Sequence, residues 1–219
     1  MVLTQNGKRA LLKDHDVLIE ENKIAKVGKR LGEKAEYVID GRGKVLMPGL
    51  VNTHTHLAMT LLRGYGDDMS LQKWLESKIW PMEAKLKASD VRAGSMLGCL
   101  EMIKGGTTSF VDMYFFMEEV ARAVDESGMR ANLAYGMLDL GKQEKRKEEL
   151  RKSEEFVRKF NGKADGRIST SFGPHAIYTC STELLQKTKE LADEHGVSCL
   201  LYTSPSPRDL STSRMPSSA

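Results

Sequence analysis

Two histidines separated by one residue, His54 and His56, are the side chains in this sequence best suited to chemistry. They close an apolar stretch that follows Pro48 and Gly49. In a β-strand, alternate side chains share a face, so the two imidazoles would point the same way and could hold one metal ion. Strand–helix units follow, which favours a site at the C-terminal mouth of a parallel barrel. We therefore predict that His54 and His56 are metal ligands.

The elements that must position this pair follow from the hydrophobic pattern. Strand-like and helix-like stretches alternate after residue 48, which indicates parallel βα units. Predicted strands that follow the His-x-His strand cover 107–112, 131–135 and 167–172, and predicted helices cover 89–104, 118–127, 143–160 and 181–195. A complete eight-stranded barrel usually needs roughly 250 residues, so a chain of 219 residues is expected to contain only part of one.

The first 47 residues have a different pattern. Residues 16–20 and 23–27 are short β-like runs, and Glu21 and Asn22 between them can form a hairpin turn. Residues 37–40 are predicted to add a third strand. Residues 1–47 are therefore expected to form a small β-rich segment of their own.

Composition narrows the class of protein. Lys and Arg number 33 against 30 Asp and Glu, a net charge of +3, which gives no reason to expect nucleic acid or a membrane surface as partner. No apolar run approaches the roughly 18 residues of a membrane span, so a cytoplasmic protein is expected. Cys99, Cys180 and Cys199 lack paired spacing, which argues against a disulfide framework and against a cysteine zinc site. A metal would have to be held by histidine and carboxylate.

Three segments carry a family resemblance: PGLVNTHTH at 48–56, MTLLRG at 59–64 and WPME at 80–83. Together they resemble the amidohydrolase superfamily, and within it the deaminases of 5-methylthioadenosine and S-adenosylhomocysteine. The resemblance runs from about residue 17 to residue 197. It implies an α/β fold, in which 48–197 form the N-terminal half of a (β/α)8 TIM barrel of about four units. Residues 1–47 would then be half of a composite β-sandwich.

The resemblance also implies a metal and its ligands. In this family one divalent metal, usually zinc, is held by the His-x-His pair, by a histidine on the fifth strand and by an aspartate on the eighth, and a glutamate past the fifth strand moves protons. The sequence matches only His54 and His56 of that set, so no catalytic residue is assigned. Residues 168–172 lack the lysine of related binuclear sites, which favours one metal ion. We expect Zn²⁺, with Fe²⁺ or Mn²⁺ as alternatives.

Two further residues match substrate contacts of the resembled deaminases. Glu83 corresponds to a carboxylate that accepts hydrogen bonds from ribose hydroxyls, and the alternative is an ordinary exposed helix glutamate. His175 follows the fourth predicted strand, where loops face a barrel's mouth, and the alternative is a histidine that fixes its own loop.

The roles of Arg146 and Asp112 stay open at this point. Arg146 is a candidate for contacting the tail of the substrate, but it could instead belong to a solvated basic face with Glu148 and Glu149 as partners. Asp112 ends the second predicted strand, where it could position a ligand or cap the next turn.

The C-terminal residues lack the pattern of the barrel. The stretch from Cys199 to Asp209 resembles one translated reading frame of a transposase sequencing adapter, so 198–219 are expected to be a non-native tail. The alternative is a natural Ser- and Pro-rich disordered terminus. That alternative does not explain why the tail replaces a strand midway through a repeating barrel. We therefore expect the chain to be a truncated fragment.

The function that the resemblance implies is hydrolytic deamination of adenosine-type nucleosides, such as S-adenosylhomocysteine, 5-methylthioadenosine or 5'-deoxyadenosine, by metal-activated water that attacks the ring carbon and releases ammonia. The fragment itself is expected to be inactive, and the full-length enzyme could be a homo-oligomer. One alternative is another amidohydrolase that acts on an amino- or chloro-substituted heterocycle. Another is a short, non-catalytic relative that acts as a binding protein.

Overall fold

The computed structural model describes residues 1–201, which form two compact units divided after Leu50. The expected adapter-like tail falls mostly on residues 202–219, which lie outside the described residues, and its non-native origin stays a prediction.

The first unit consists of short antiparallel strand pairs. Its strands are β1 Val2–Leu3, β2 Leu11–Leu12, β3 Asp16–Glu20 and β4 Lys23–Gly28, with β1 paired to β2 and β3 paired to β4. The predicted hairpin around Glu21 and Asn22 is confirmed by the antiparallel pairing of β3 and β4. The predicted third strand at 37–40 is wrong, because those residues form no strand, and the side chains of Val38 and Ile39 are each 81% exposed. A run of residues with high β propensity does not make a strand without a neighbouring strand to pair with its backbone N–H and C=O groups.

The second unit alternates strands and helices. After β5 Leu50–Thr55 and a 3₁₀ helix at Leu57–Leu62, its elements are α1 Leu71–Trp74, a π-helical segment Leu75–Ile79, α2 Trp80–Glu83, α3 Ala88–Lys104, β6 Thr107–Tyr114, α4 Met117–Ser127, β7 Arg130–Met137, α5 Gln143–Phe160, α6 Lys163–Gly166, β8 Ile168–Pro174, α7 Thr182–His195 and β9 Ser198–Cys199.

The five strands of the second unit form one sheet in chain order, β5-β6-β7-β8-β9. The pairs β6–β7, β7–β8 and β8–β9 are parallel, which confirms the predicted α/β class. Strand order that follows chain order is the arrangement of a barrel, since each right-handed crossover places the next strand beside the last. The short strand β9 pairs Ser198 with Ser171, so the sheet continues one strand beyond the four that the sequence pattern predicts.

Helix boundaries agree with the sequence where a local signal sets them. Helix α5 spans Gln143–Phe160, as predicted. Helix α7 is capped by the hydroxyl of Ser181, which accepts the Leu184 N–H, and it ends at Gly196 in the left-handed conformation. Helix α3 begins at Ala88, one residue earlier than predicted, because the carboxylate of Asp90 reaches back to the Lys87 N–H at 2.9 Å.

The hydrophobic core of the second unit lies between the sheet and its helices. Phe110 of β6, Leu133 of β7 and Ile168 of β8 are each at most 2% exposed and pack in one cluster with Val91 of α3 and Val124 of α4. This layer of buried side chains fixes the helices against the strands, whose carboxyl ends carry the candidate site. Among residues 1–201, no helix combines the length and apolar character required to cross a bilayer.

Close packing of α3 holds the segment that follows His56. A Cβ atom on Gly94 would lie 2.5 Å from the carbonyl oxygen of Ala58, closer than real Cβ contacts allow. The Thr60 hydroxyl donates to the Gly94 carbonyl at 2.7 Å. Glycine at position 94 therefore lets the 3₁₀ helix lie directly against α3.

Glu83 ends a helical run that contains a π-helical segment. Residues 71–83 pass from α-helix through the π-helical Leu75–Ile79 to α2, where Pro81 is in the first turn. Proline has no N–H to donate to the carbonyl four residues before it, and its ring crowds that carbonyl, so a wider turn just before Pro81 relieves the clash.

Candidate functional site

The predicted metal pair lies at the carboxyl end of β5. His54 is within the strand, whereas His56 is the residue that precedes the 3₁₀ helix. Their ring centroids are 5.5 Å apart with the ring planes at 86°. The structure therefore brings the two imidazoles together, at the strand end where the sequence pattern placed them.

The imidazole of His56 is oriented by the neighbouring strand. Its Nδ1 lies 2.7 Å from the carbonyl oxygen of Met113 in β6. A carbonyl can only accept, so Nδ1 carries the proton and Nε2 has the lone pair that a metal requires. Burial, together with the nearby His54 and His175, lowers the pKa of His56 to about 4, although the hydrogen bond to the Met113 carbonyl opposes the fall. The ring is therefore neutral near pH 7, which is the form that binds metal.

Asp112 of β6 holds both neighbours of His56 in the chain. Its Oδ1 accepts the Leu57 N–H at 2.8 Å and lies 2.8 Å from the Thr55 hydroxyl. That hydroxyl also lies 2.8 Å from the Val111 carbonyl, so it can donate to either oxygen. Asp112 therefore holds the backbone of Leu57 and the side chain of Thr55, on either side of His56, which supports the interpretation that it positions a ligand.

The second carboxylate oxygen of Asp112 has a different environment. Asp112 is completely buried, and its Oδ2 has no hydrogen-bond partner among the described residues. Burial raises the pKa of Asp112 to about 7, although hydrogen bonds from Leu57, Thr55 and Met113 oppose the rise. A buried carboxylate of this kind is costly to keep, which is typical of a residue with a functional role.

Glu83 at the end of α2 is half-buried and faces Tyr114 at the end of β6. The Tyr114 hydroxyl donates to Oε1 of Glu83 at 2.8 Å. Burial raises the pKa of Glu83, and the hydrogen bond from Tyr114 lowers it in turn. The ring of Tyr114 also lies 6.2 Å from that of His56, centroid to centroid, so Tyr114 links the candidate substrate carboxylate to the candidate metal pair. The sequence pattern did not single out Tyr114.

His175 follows β8 and is held within its loop. Its backbone N–H donates to the Met137 carbonyl at 2.9 Å, and its Nδ1 lies 2.9 Å from the Thr179 hydroxyl. Burial lowers the pKa of His175, so this ring too is neutral near pH 7. His175 directly follows the end of β8, as His56 directly follows the end of β5, and His175 helps to lower the pKa of His56.

Arg146 lies in the first turn of α5 and contacts Asp139, a buried residue that follows β7. Its Nε donates to Oδ2 of Asp139 at 2.9 Å and lies 3.1 Å from the Ser181 hydroxyl. Only 19% of the Arg146 side chain is exposed, so the alternative of a solvated basic face is wrong for this residue. The proposed partners of that face are engaged elsewhere, Glu148 with Lys152 and Glu149 with Tyr135.

Asp139 is the centre of this network. Its carboxylate also accepts the Ser181 N–H at 2.8 Å, the Ser181 hydroxyl at 2.5 Å and the Gly141 N–H at 3.2 Å. Burial alone would raise the pKa of Asp139, but these bonds and the Arg146 guanidinium hold it at about 2. The network ties the start of α5 to Ser181 at the start of α7, and so fixes the C-terminal end of the loop that carries His175.

The described residues supply only some of the ligands that a metal site requires. Between residues 1 and 201, no group of three or more His, Cys, Asp or Glu side chains is arranged to hold a metal ion. A catalytic zinc site normally has three protein ligands. His54 and His56 therefore fit part of such a site, with neutral nitrogen donors on a rigid strand end.

The chain is similar in sequence to curated deaminases. The chain is 55% identical over 195 residues to the 5'-deoxyadenosine deaminase of Methanosarcina acetivorans, covering 89% of this chain and 45% of that protein. It is 51% identical over 189 residues to the 5-methylthioadenosine/S-adenosylhomocysteine deaminase of Thermococcus sibiricus, covering 86% of this chain and 45% of that protein. The chain thus spans about half the length of these relatives.

Solved structures share the fold. A zinc-bound adenosine deaminase from Xanthomonas campestris is 30% identical with a TM-score of 0.72, and the match covers 92% of this chain and 47% of that one. A guanine deaminase from C. acetobutylicum has the same TM-score at 20% identity, over 90% of this chain and 51% of that one, and shows the fold alone. These matches confirm the predicted part of a TIM barrel. The model of the Amidohydrolase family matches residues 45–200, and the chain, with its His-x-His pair at the end of β5, belongs to that family.

Proposed function

We propose that the full-length gene product is a metal-dependent hydrolytic deaminase of adenosine-type nucleosides, such as 5'-deoxyadenosine, 5-methylthioadenosine and S-adenosylhomocysteine. The observation that carries the proposal is the pair formed by His54 and His56 at the end of β5, in which Nδ1 of His56 donates to the Met113 carbonyl and Nε2 is therefore the nitrogen with the lone pair. Identities of 55% and 51% to deaminases of these nucleosides support the choice of substrate.

The proposed metal is zinc. The structural relative at 30% identity binds zinc, and two neutral imidazoles suit zinc as well as Fe²⁺ or Mn²⁺. The chemistry that such an ion supplies when bound is activation of water at neutral pH. The metal-binding role of His54 and His56 and the choice of ion are both part of the proposal.

The residues of this chain would bind and orient the nucleoside. Glu83 has two carboxylate oxygens, which suit the paired hydroxyls of a ribose. His175, with Nδ1 directed to Thr179, would contact the substrate at the same end of the sheet. Asp112 would keep His56 in place, and Asp139 would keep the loop of His175 in place. Each of these residues acts by holding an orientation before the substrate arrives, which reduces the cost of binding.

The test is to measure zinc content and ammonia release with the full-length gene product. We expect one zinc ion per chain and turnover of 5'-deoxyadenosine or S-adenosylhomocysteine. Replacement of His54 or His56 by Ala should abolish both, whereas His15→Ala, in the first unit, should change neither.

The same measurements separate the alternatives. Turnover of an aminotriazine without turnover of nucleosides would assign the protein to the hydrolases of other heterocycles. A stable, zinc-free protein that releases no ammonia would assign it to the non-catalytic relatives. The sequence of the uninterrupted gene gives an independent check. In that gene we expect Val197 to be followed by a strand that bears a histidine and, three residues later, a glutamate, in place of the residues that follow Val197 here.

A further inference from the structure

Tyr114 lies between two groups of the candidate site without belonging to either. Its hydroxyl donates to Oε1 of Glu83 at 2.8 Å, and its ring lies 6.2 Å from the ring of His56. Tyr114 is 4% exposed and belongs to the main hydrophobic cluster. Its ring is therefore immobilised by packing, and its hydroxyl is the only polar atom of the side chain.

The hydroxyl can act only as a donor toward Glu83. Burial raises the pKa of Tyr114, and the nearby carboxylate raises it further, so the phenol keeps its proton. A glutamate carboxylate has two oxygens and about four lone pairs. The bond from Tyr114 uses one of these lone pairs and leaves the rest to accept hydrogen bonds from a ligand.

The neighbouring strand contains a second tyrosine whose hydroxyl donates to a glutamate. Tyr135 of β7 is paired with Tyr114 in the sheet register, and its hydroxyl donates to Oε1 of Glu149 at 3.3 Å. Glu149 lies in α5 and also accepts the Leu138 N–H at 3.2 Å. Two tyrosine–glutamate pairs therefore lie on neighbouring strands of the described sheet, and of these two the Tyr114–Glu83 pair involves a candidate substrate contact.

We propose that Tyr114 is a positioning residue that orients the Glu83 carboxylate for the ribose hydroxyls and so determines the preference of the enzyme for ribose over deoxyribose. This proposal rests on the proposed function, because it takes Glu83 as the ribose contact. A glutamate side chain on an unpaired helix end samples many rotamers, and binding would have to select one of them. The hydrogen bond from the immobilised Tyr114 hydroxyl restricts the Glu83 side chain to one rotamer before the ligand binds.

The test compares Tyr114→Phe with Tyr135→Phe in the full-length gene product, using 5'-deoxyadenosine and 3',5'-dideoxyadenosine as substrates. The two variants remove the same hydroxyl from paired positions. We expect the ratio of kcat/KM for the two substrates to fall about tenfold in Tyr114→Phe, through KM for 5'-deoxyadenosine, and to stay at the wild-type value in Tyr135→Phe. Zinc content should be unchanged in both.

A double variant provides the second measurement. If Tyr114 acts through Glu83, adding Tyr114→Phe to Glu83→Gln should lower the ratio no further. Independent, multiplicative effects would overturn the proposal, and so would a wild-type ratio in Tyr114→Phe. Loss of the thermal unfolding transition in Tyr114→Phe alone would overturn it as well, by assigning the hydroxyl to the stability of the fold. A wild-type protein that deaminates no nucleoside would refute the proposed function itself, an outcome that is distinct from these.

Discussion

The backbone N–H of Leu57 donates a 2.8 Å hydrogen bond to Oδ1 of Asp112, across 55 residues of chain. The same oxygen lies 2.8 Å from the hydroxyl of Thr55. His56 therefore stands between two residues that one buried carboxylate holds against β6, and its own ring is fixed by the Met113 carbonyl. This arrangement controls the direction of the imidazole without touching the atom that would bind metal.

The first prediction concerns Asp112. Replacing Asp112 with Ala should weaken zinc binding by the full-length gene product roughly 10- to 100-fold, the range typical of residues that orient a metal ligand. The physical reason is that Leu57 N–H loses its buried acceptor and the turn at His56 relaxes. A competition titration with a chelator measures the change.

Asp112→Asn is the matched control, because its amide oxygen can still accept the Leu57 N–H. We expect its zinc affinity to stay much closer to wild type. Equal losses in the two variants would mean that the negative charge of Asp112 matters and the hydrogen bond to Leu57 does not.

The second prediction concerns Glu83. Glu83→Gln keeps the size of the side chain and removes its charge, so KM for nucleosides should rise about tenfold while zinc content stays constant. The structure supplies a matched control in Glu149→Gln, which alters the other tyrosine-bound glutamate. If KM for the nucleoside and KM for the free base keep their wild-type ratio in Glu83→Gln, then Glu83 does not bind ribose.

The third prediction concerns the contribution of Asp139 to the free energy of unfolding at low pH. The pKa of Asp139 is about 2 in the folded chain, below its ordinary value of 3.8, so the unfolded chain takes up the proton first as the pH falls. The carboxylate therefore contributes stability above about pH 4 and loses it as the pH falls through 2, a change of about 2 kcal/mol. Urea unfolding of the full-length gene product at a series of pH values measures this contribution.

Removing the carboxylate should have a larger effect at neutral pH. Asp139→Asn leaves the mostly buried Arg146 without its charged partner and should lower the free energy of unfolding by roughly 3 kcal/mol. Asp125→Asn is the control, since Asp125 pairs with Arg167 at 2.9 Å but is 63% exposed, and an exposed pair contributes at most about 1 kcal/mol. Similar losses in both variants would contradict the central role assigned to Asp139.

The fourth prediction concerns the 219-residue chain made by itself. The described residues offer His54 and His56 but no third side chain arranged with them, so zinc should dissociate readily and no ammonia should be released from S-adenosylhomocysteine. Metal analysis after gel filtration and an ammonia assay provide the measurement. Stoichiometric zinc with turnover would show that ligands outside the described residues complete the site.

The sequence by itself determined the elements whose signals are local. The span of α5, the serine cap and glycine end of α7, and the hairpin of β3 and β4 each follow from hydrophobic period or from one capping residue, because those signals act within a few positions of the chain. The strand predicted at 37–40 was wrong for the complementary reason. A run of β-branched residues can form a strand only when a second strand pairs with it, and only the tertiary structure decides whether that second strand is present.

In the candidate site, too, some features follow from sequence spacing and others only from the tertiary structure. The His-x-His spacing already placed His54 and His56 on one strand end, since alternate residues of a strand share a face. Only the tertiary structure decided that Asp112 holds the turn around His56, that Tyr114 meets Glu83 and that Arg146 meets Asp139. These partners are separated by 55, 31 and 7 residues, and no periodicity of the sequence relates them. They meet because packing brings strand ends and helix starts to one edge of the sheet, where buried polar groups must find partners to offset the loss of water.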